Sequence, residues 1–305
     1  MLQVLYKQLI VGILVVITTI SLTFFLVRLS GDPTSILLPQ DATQEQREAL
    51  RDSLGLNDSL PVQFVTYLGN AATGDFGTSY FDQQSVTSIV GRFLPNTLLL
   101  AGSAMALALI FAIPLGVMSA IWRGGILDRI VQLFAVLGAS MPSFWVGLLL
   151  IQVFSIQFKL LPTYGSGSWS NLVLPCVTLA IYAFPSMTRL TRSSILEVLP
   201  QNYVTVARAK GMPEHRIIGR TVMRNGMVPI VTLFALELGN LIGGTVLTET
   251  VFAWEGIGRL ALTSISRRDF PVVQGVVIYV ALGFAIITLL AEISIRLINP
   301  RLRDK

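Results

Sequence analysis

Six stretches of this chain run nearly free of charge, and their lengths decide what kind of protein it is. Residues 8–27 carry no charged side chain between Lys7 and Arg28, and residues 93–122 carry none between Arg92 and Arg123. Residues 130–158 follow Arg129, and residues 160–188 lie between Lys159 and Arg189. Residues 225–248 hold one acid, Glu237, and residues 270–295 hold one, Glu292. A helix needs about 20 apolar residues to cross the hydrocarbon core of a bilayer. The pattern therefore predicts an all-α, polytopic membrane protein with six transmembrane helices. Pro114, Pro142, Pro175, Pro185 and Pro229 fall inside these spans, where each is expected to kink or end its helix. The first span is too apolar for too long to be a secretory signal. The segment "VRLSGDPTS" behind it has no small-x-small cleavage site, so that helix is expected to be retained.

Composition agrees and adds an orientation. The 305 residues are 53% hydrophobic and 13% charged, against about 25% charged in soluble domains. With the amino terminus inside, 14 of the 22 basic residues fall on cytoplasmic segments, as the positive-inside rule requires. That bias also accounts for the net charge of +5 without invoking nucleic acid. One cysteine (Cys176) and one histidine (His215) exclude a disulfide framework and a Cys- or His-rich metal site.

Two polar segments carry further pattern. In the long loop after the first span, "TQEQREAL" places Thr43 and Gln46 in capping-box register, and Gly55 suits the stop of that helix. A second short helix is predicted over 61–68, with Phe64, Val65 and Leu68 on one face. "GDFGTSY" reads as a turn with two glycines. The other segment, "ARAKGMPEHRIIGR" (207–220), is basic and broken in the middle. Asn202 can cap a helix starting at Tyr203, and Gly211 can take the left-handed position that closes it. Pro213 and Glu214 restart a second helix. Tyr203, Val206, Ala207, Lys210 and Gly211 share one face by their spacing, and its small members would let another surface come close. A protein partner fits that face. So does a bilayer surface, with Arg208, Lys210, Arg216, Arg220 and Arg224 on anionic head groups. The spacing alone leaves both open.

Residues 202–232, "NYVTVARAKGMPEHRIIGRTVMRNGMVPIVT", resemble the cytoplasmic loop of ABC importer permeases of the peptide/nickel class. Further stretches agree in order along the chain: "GDPT", "GDFGTS", "RFLPNTLLL", "LPTYG", "LPCVTLA", "RLTRSSILEVL", "LTETVFAWEGIGRL", "RRDFPVVQG" and "INPRLR". The resemblance covers about residues 5–303 and is closest in look to dipeptide, oligopeptide and glutathione permeases. It implies the type I ABC importer permease fold, methionine/maltose-permease-like. The implied parts are a first transmembrane helix (1–28), an extracytoplasmic loop with short helices (29–94), a five-helix permease domain (95–298) with its coupling loop at about 190–225, and a cytoplasmic tail (299–305).

The resemblance also implies roles. Tyr203, Val206, Ala207, Arg208, Ala209, Lys210 and Gly211 correspond to the coupling helix that seats in an ATPase subunit. Glu237, Asn240 and Glu249 are candidates for the translocation pathway. Asp75, Phe76, Trp254 and Glu255 are candidates for contact with an extracytoplasmic solute-binding protein. The implied partners are that binding protein, a second homologous permease subunit in a heterodimer, two ABC ATPase subunits and a peptide-like substrate, in a bacterial inner membrane with both termini cytoplasmic. Glutathione and nickel complexes are the alternative cargoes. ATP and Mg are expected in the ATPase subunits and no cofactor in this one, since the chain contains no Gly-x4-Gly-Lys-Ser/Thr phosphate loop. Two departures stand out. Where the general permease signature has Glu-Ala-Ala, this chain has Thr205, Val206 and Ala207, and Glu255 stands where the class generally has proline.

Two other classes compete. An ion-coupled secondary transporter needs buried acids near the bilayer midplane. Glu237 is the one acid predicted well inside a span, where a charge costs about 2.5–3.5 kcal/mol, and Glu292 reads as a helix-end ion pair with Arg296. A membrane enzyme needs a nucleophile with its base, paired acids or metal ligands. His215 and Cys176 are predicted far apart without such partners, so no catalysis is expected in this chain.

Overall fold

A computed structural model describes residues 2–29, 34–39 and 41–298. The "GDPT" and "INPRLR" motifs fall largely outside them, and the tail 299–305 wholly so. Fourteen α-helices follow one another among the described residues: α1 (Leu2–Leu29), α2 (Thr34–Leu37), α3 (Gln44–Ser53), α4 (Leu60–Ala72), α5 (Val86–Ile121), α6 (Ile126–Ser140), α7 (Ser143–Leu150), α8 (Trp169–Val198), α9 (Asn202–Ala209), α10 (Glu214–Arg216), α11 (Met223–Gly244), α12 (Val246–Val251), α13 (Ile257–Arg267) and α14 (Phe270–Ile298). Two π-helical turns extend them, Ile151–Gln157 after α7 and Ile217–Val222 before α11.

Five helices are long and apolar enough to cross a membrane: Tyr6–Leu29, Val86–Ile121, Trp169–Val198, Glu214–Gly243 and Phe270–Leu297. The span expected over 130–158 is broken at its proline into two helices, Ile126–Ser140 and Ser143–Gln157, bent by 102°. Pro142 explains the break, because the residue before a proline is driven out of the helical region and Met141 sits at φ −93°, ψ 127°. The other prolines within spans are absorbed. Pro114 lies inside α5, Pro175 and Pro185 inside α8, and Pro229 inside α11. Charge gaps also misplaced two span ends. α5 runs through Arg92 and Pro95, so residue 95 is no boundary, and α8 starts at Trp169 and continues past Arg189 and Arg192.

The centre of the bundle is the pairing of α5 with α8. Lipid is as apolar as leucine, so spans associate through close packing of small residues. α5 supplies these every fourth position: Ala104, Ala108, Ala112, Gly116 and Ala120 are all buried. At Gly116 a Cβ would lie 2.7 Å from Thr191 Cβ and 2.9 Å from the Thr188 carbonyl, so the crossing admits no side chain there. α11 meets α14 by the same device. A Cβ on Gly239 would come within Phe284's ring, and the ring fills the space instead. α1 lies against α14 and, through Phe24 stacked edge-on to Phe64 at 5.3 Å, against α4.

The long loop folds much as its caps predict. Thr43 and Gln46 form the capping box on α3, and Gly55, at φ +63°, closes it. The Gly55 and Leu56 N–H groups donate to Asp52 and Arg51. α4 is longer than expected. Phe64, Tyr67 and Leu68 are partly buried, but Val65 is 67% exposed, so Tyr67 takes the place assigned to Val65.

Candidate functional site

At one end of the bundle, α9 projects as a short helix on an apolar root. Val204 and Ala207 point inward and join Ala120, Ile195, Ile217 and Val222 in a separate buried cluster. Tyr203, Thr205, Val206, Arg208, Ala209 and Lys210 face out. Ala207 therefore does not belong to the presented face, contrary to the spacing argument; it is 8% exposed. Burial of Val204 rotates the helix so that positions 204 and 207 share the inner side. The cap residue is Gln201, with Asn202 already inside the helix.

The joint at Gly211 is as predicted. Its φ is +72°, and the Gly211 and Met212 N–H groups donate to Arg208 and Ala207 at 2.9 and 3.2 Å. That is the doubly bonded helix stop glycine favours. Across the joint Arg208 grips Glu214 with Nη2 and Nε, at 2.6 and 3.3 Å. This hydrogen bond raises the Arg208 pKa above the ordinary guanidinium value. The helix restarting at Glu214 is not a separate element, because it passes through the π turn Ile217–Val222 straight into the span.

At the far end, two buried carboxylates fix the loops, and they revise three expectations. Glu249 does not line a path. It is fully buried and accepts from Thr97 Oγ1 at 2.7 Å, Thr245 Oγ1 at 3.0 Å and the Arg259 N–H at 2.9 Å. Gly256 and Gly258 press against it too closely to carry side chains. Trp254 is 2% exposed and donates its indole N–H to the Asn96 carbonyl. Phe76 is buried edge-on to Tyr279 at 5.5 Å. Neither aromatic is therefore a surface contact, whereas Asp75 and Glu255 are exposed. Asp75 caps its own turn by accepting from the Gly77 N–H at 2.9 Å. The second carboxylate, Asp269, accepts from Ser79 Oγ at 2.5 Å and the Tyr80 N–H at 3.1 Å, pinning the "GDFGTSY" turn to the start of α14. Sequence reading missed Asp269 and Thr97. The available signal was an acid or hydroxyl beside a glycine-rich turn at a span end.

On α11, Glu237 is half-buried and Asn240 exposed, with Thr232 and Asn225 exposed on neighbouring turns. Leu236, 50% exposed, lies among them, and Asn225 and Thr232 bond back to carbonyls of their own helix, so it is the ionisable Glu237 that suits a wet path or another protein better than lipid. Cys176 is a buried free thiol and His215 an exposed side chain. Glu292 pairs with Arg296 at 3.0 Å.

A bundle of apolar spans with an ionisable side chain on one of them and a short helix offered at one end has the build of a membrane transport subunit. The chain belongs to the family of binding-protein-dependent transport system inner membrane components: residues 112–304 match the family's sequence profile, and residues 1–101 match that of its N-terminal region. It is the permease subunit of an ABC importer, a multi-pass inner-membrane protein that works with ATPase and binding-protein partners and is itself no enzyme. It is 39% identical over 290 residues to the glutathione transport system permease protein GsiC of Escherichia coli K12, spanning 95% of this chain and 94% of that one. The GsiC of Pectobacterium atrosepticum is 39% identical over 307 residues, spanning 100% of both. Among solved structures, the fold resembles the inward-facing MetNI methionine ABC transporter, with a TM-score of 0.57 at 18% identity over 69% of this chain and 96% of that chain. The fold is thus that of the type I importer permeases.

Proposed function

We propose that this subunit forms half of a translocation pathway for short peptides, glutathione foremost, with a second related permease subunit completing it. In this reading both termini are cytoplasmic, and α9 seats in an ATPase subunit that binds ATP and Mg. The opposite end, with Asp75 and Glu255, receives the loaded binding protein. Glu237 and Asn240 face the path. The observation that carries the reading is the outward face of α9. Tyr203 and Val206 are 43% and 52% exposed on a helix rooted in its own buried cluster, which is a poor arrangement for a solvated loop and a good one for a socket. Lys210 and Arg208 sit at its rim. The likeness to glutathione permeases over the whole chain supports the cargo class.

The test is ATP-driven uptake into vesicles carrying the full complex. Labelled glutathione and a dipeptide would be supplied on the matching binding protein, with Val206→Asp as the coupling variant. Uptake in the wild type and its loss in Val206→Asp, with normal membrane insertion, is the expected result. Continued coupled import by Val206→Asp would overturn the docking role, and import of neither cargo would overturn the substrate class.

A further inference from the structure

A third buried carboxylate, Asp128, lies at the α9 end, and every lone-pair direction of its two oxygens is used. Arg192 donates from Nε to Oδ1 at 2.8 Å and from Nη2 to Oδ2 at 2.9 Å. Ser119 Oγ donates to Oδ1 at 2.5 Å, and the Gly124 N–H donates to Oδ2 at 2.9 Å. Gly124 sits at φ +79° in the tight turn before α6, which aims its N–H back at the carboxylate. One side chain, 5% exposed, thus joins the last turn of α5, the first turn of α6 and the lower part of α8. The fork is the strong, directional form of ion pair.

Two of these helices, α5 and α8, help to hold α9, together with the π turn Ile217–Val222. Ala120, next to Ser119, and Ile195, three residues past Arg192, form the wall against which Val204 and Ala207 pack. Ile195 also lies where a Cβ on Gly226 would stand, 3.0 Å from its Cδ1, which extends the contact to the start of α11. The ion pair and the seat of α9 are therefore adjoining parts of one block. α6 joins this block along its length. Val131 and Ala135 are buried, and a Cβ on Gly138 would lie 3.0 Å from Pro185 Cγ, while an apolar cleft of about 810 Å³ opens beside it among Leu107, Phe111, Ile130, Phe134, Ile181 and Phe184. Asp128 is the polar tie that sets the head of α6 against α5 and α8. A buried ion pair adds little net stability over an apolar pair of the same size. Its strict geometry can fix position.

We propose that Asp128 and Arg192 are positioning residues for coupling: they make α5, α6 and α8 follow α9 as one body, so that breaking the pair separates ATP turnover from import. This rests on the reading of α9 as the ATPase contact.

The experiment uses the complete complex in vesicles. Asp128→Leu with Arg192→Met replaces the pair by apolar side chains and leaves no buried charge unpaired, and Arg192→Lys keeps the charge but loses the fork. The double variant is expected to assemble with its ATPase subunits and hydrolyse ATP within about twofold of wild type, while import per ATP falls at least tenfold. Arg192→Lys should lie between. Spin labels at Thr205 on α9 and Val136 on α6 should keep one distance with and without ATP in the wild type and change with ATP in the double variant. Wild-type import per ATP in the double variant would overturn the proposal. So would hydrolysis and import falling in proportion, or failure to assemble, either of which would make the pair a folding element only. A failed docking reading shows itself separately, as ATPase subunits that still bind and drive the Val206→Asp protein.

Discussion

Replacing Glu249 by glutamine removes its charge without changing its volume, so the predicted cost can be worked from the hydrogen bonds alone. Oε2 accepts from the rigid Arg259 N–H, and Oε1 accepts from the Thr97 and Thr245 hydroxyls. The new amide must keep its oxygen towards Arg259, because its NH2 would meet the N–H head-on. That bond falls from charge-assisted to neutral, about 1 kcal/mol. The NH2 then faces two hydroxyls, which must become acceptors and turn their protons elsewhere. Thr97 already accepts from the Ile257 N–H at 2.8 Å, so its freedom is small. About 0.5–1 kcal/mol for each reversed bond is reasonable, giving a total near 2–3 kcal/mol. Equilibrium unfolding in mixed micelles measures this, and a red shift of tryptophan emission should accompany it as Trp254 loses its shelter. Thr97→Val should cost a similar amount, and the two changes together should cost less than their sum. A Glu249→Gln protein within about 0.5 kcal/mol of wild type (the scale of a neutral surface change) would refute the anchor. If it also imported poorly, Glu249 would be a pathway residue after all.

Three further outcomes are expected. Gly239→Leu should collapse the α11–α14 contact, since a Cβ already lands on the Phe284 ring. Phe284→Ala should restore part of the folded yield, read by size-exclusion of the solubilised protein. Ala207→Asp places a charge in the apolar root of α9 and should reduce folded protein, unlike Val206→Asp, whose yield stays normal; limited proteolysis of membranes distinguishes them. Gly211→Val forces a branched side chain into a φ of +72° at about 1–2 kcal/mol. Open space surrounds that position, so uptake should fall through a misaligned α9, and Gly211→Asn, which tolerates the left-handed region, should retain more of it.

Local rules read from sequence held wherever the deciding partner is nearby in the chain. The Thr43–Gln46 box, the stop at Gly55 and the joint at Gly211 each depend on residues within four or five positions. Hydropathy located the spans because the bilayer sets their length, but it treated Arg92 and Arg189 as borders when the helices that hold them continue past them. What failed required knowing which side of an element meets the rest of the protein. Trp254 and Phe76 looked like exposed aromatics on a polar segment, and both are packed at the base of it. Ala207 and Val206 are adjacent in sequence, and only the position of Ile195 and Ile217 decides which of them turns inward.

The acids show the same limit most sharply, and also what the sequence pattern does not distinguish. Glu249 and Asp128 are charges at the ends of apolar runs, like many that simply mark a membrane boundary. Each instead closes a knot on the same helix, Glu249 through Thr97 and Asp128 through Ser119. These α5 positions are 22 residues apart, which at 1.5 Å per residue is about 33 Å along the helix. That matches the roughly 30 Å thickness of the hydrocarbon core, so both knots lie where the core gives way to head groups, and close packing of small residues fills most of the space between. In the hydrocarbon itself a charge would cost kilocalories; in bulk water the hydrogen bonds would be worth little. At the boundary a carboxylate can be desolvated enough to bind its donors firmly and still be reached during folding. α5 is thus a single rod fastened by polar contacts at both faces of the membrane.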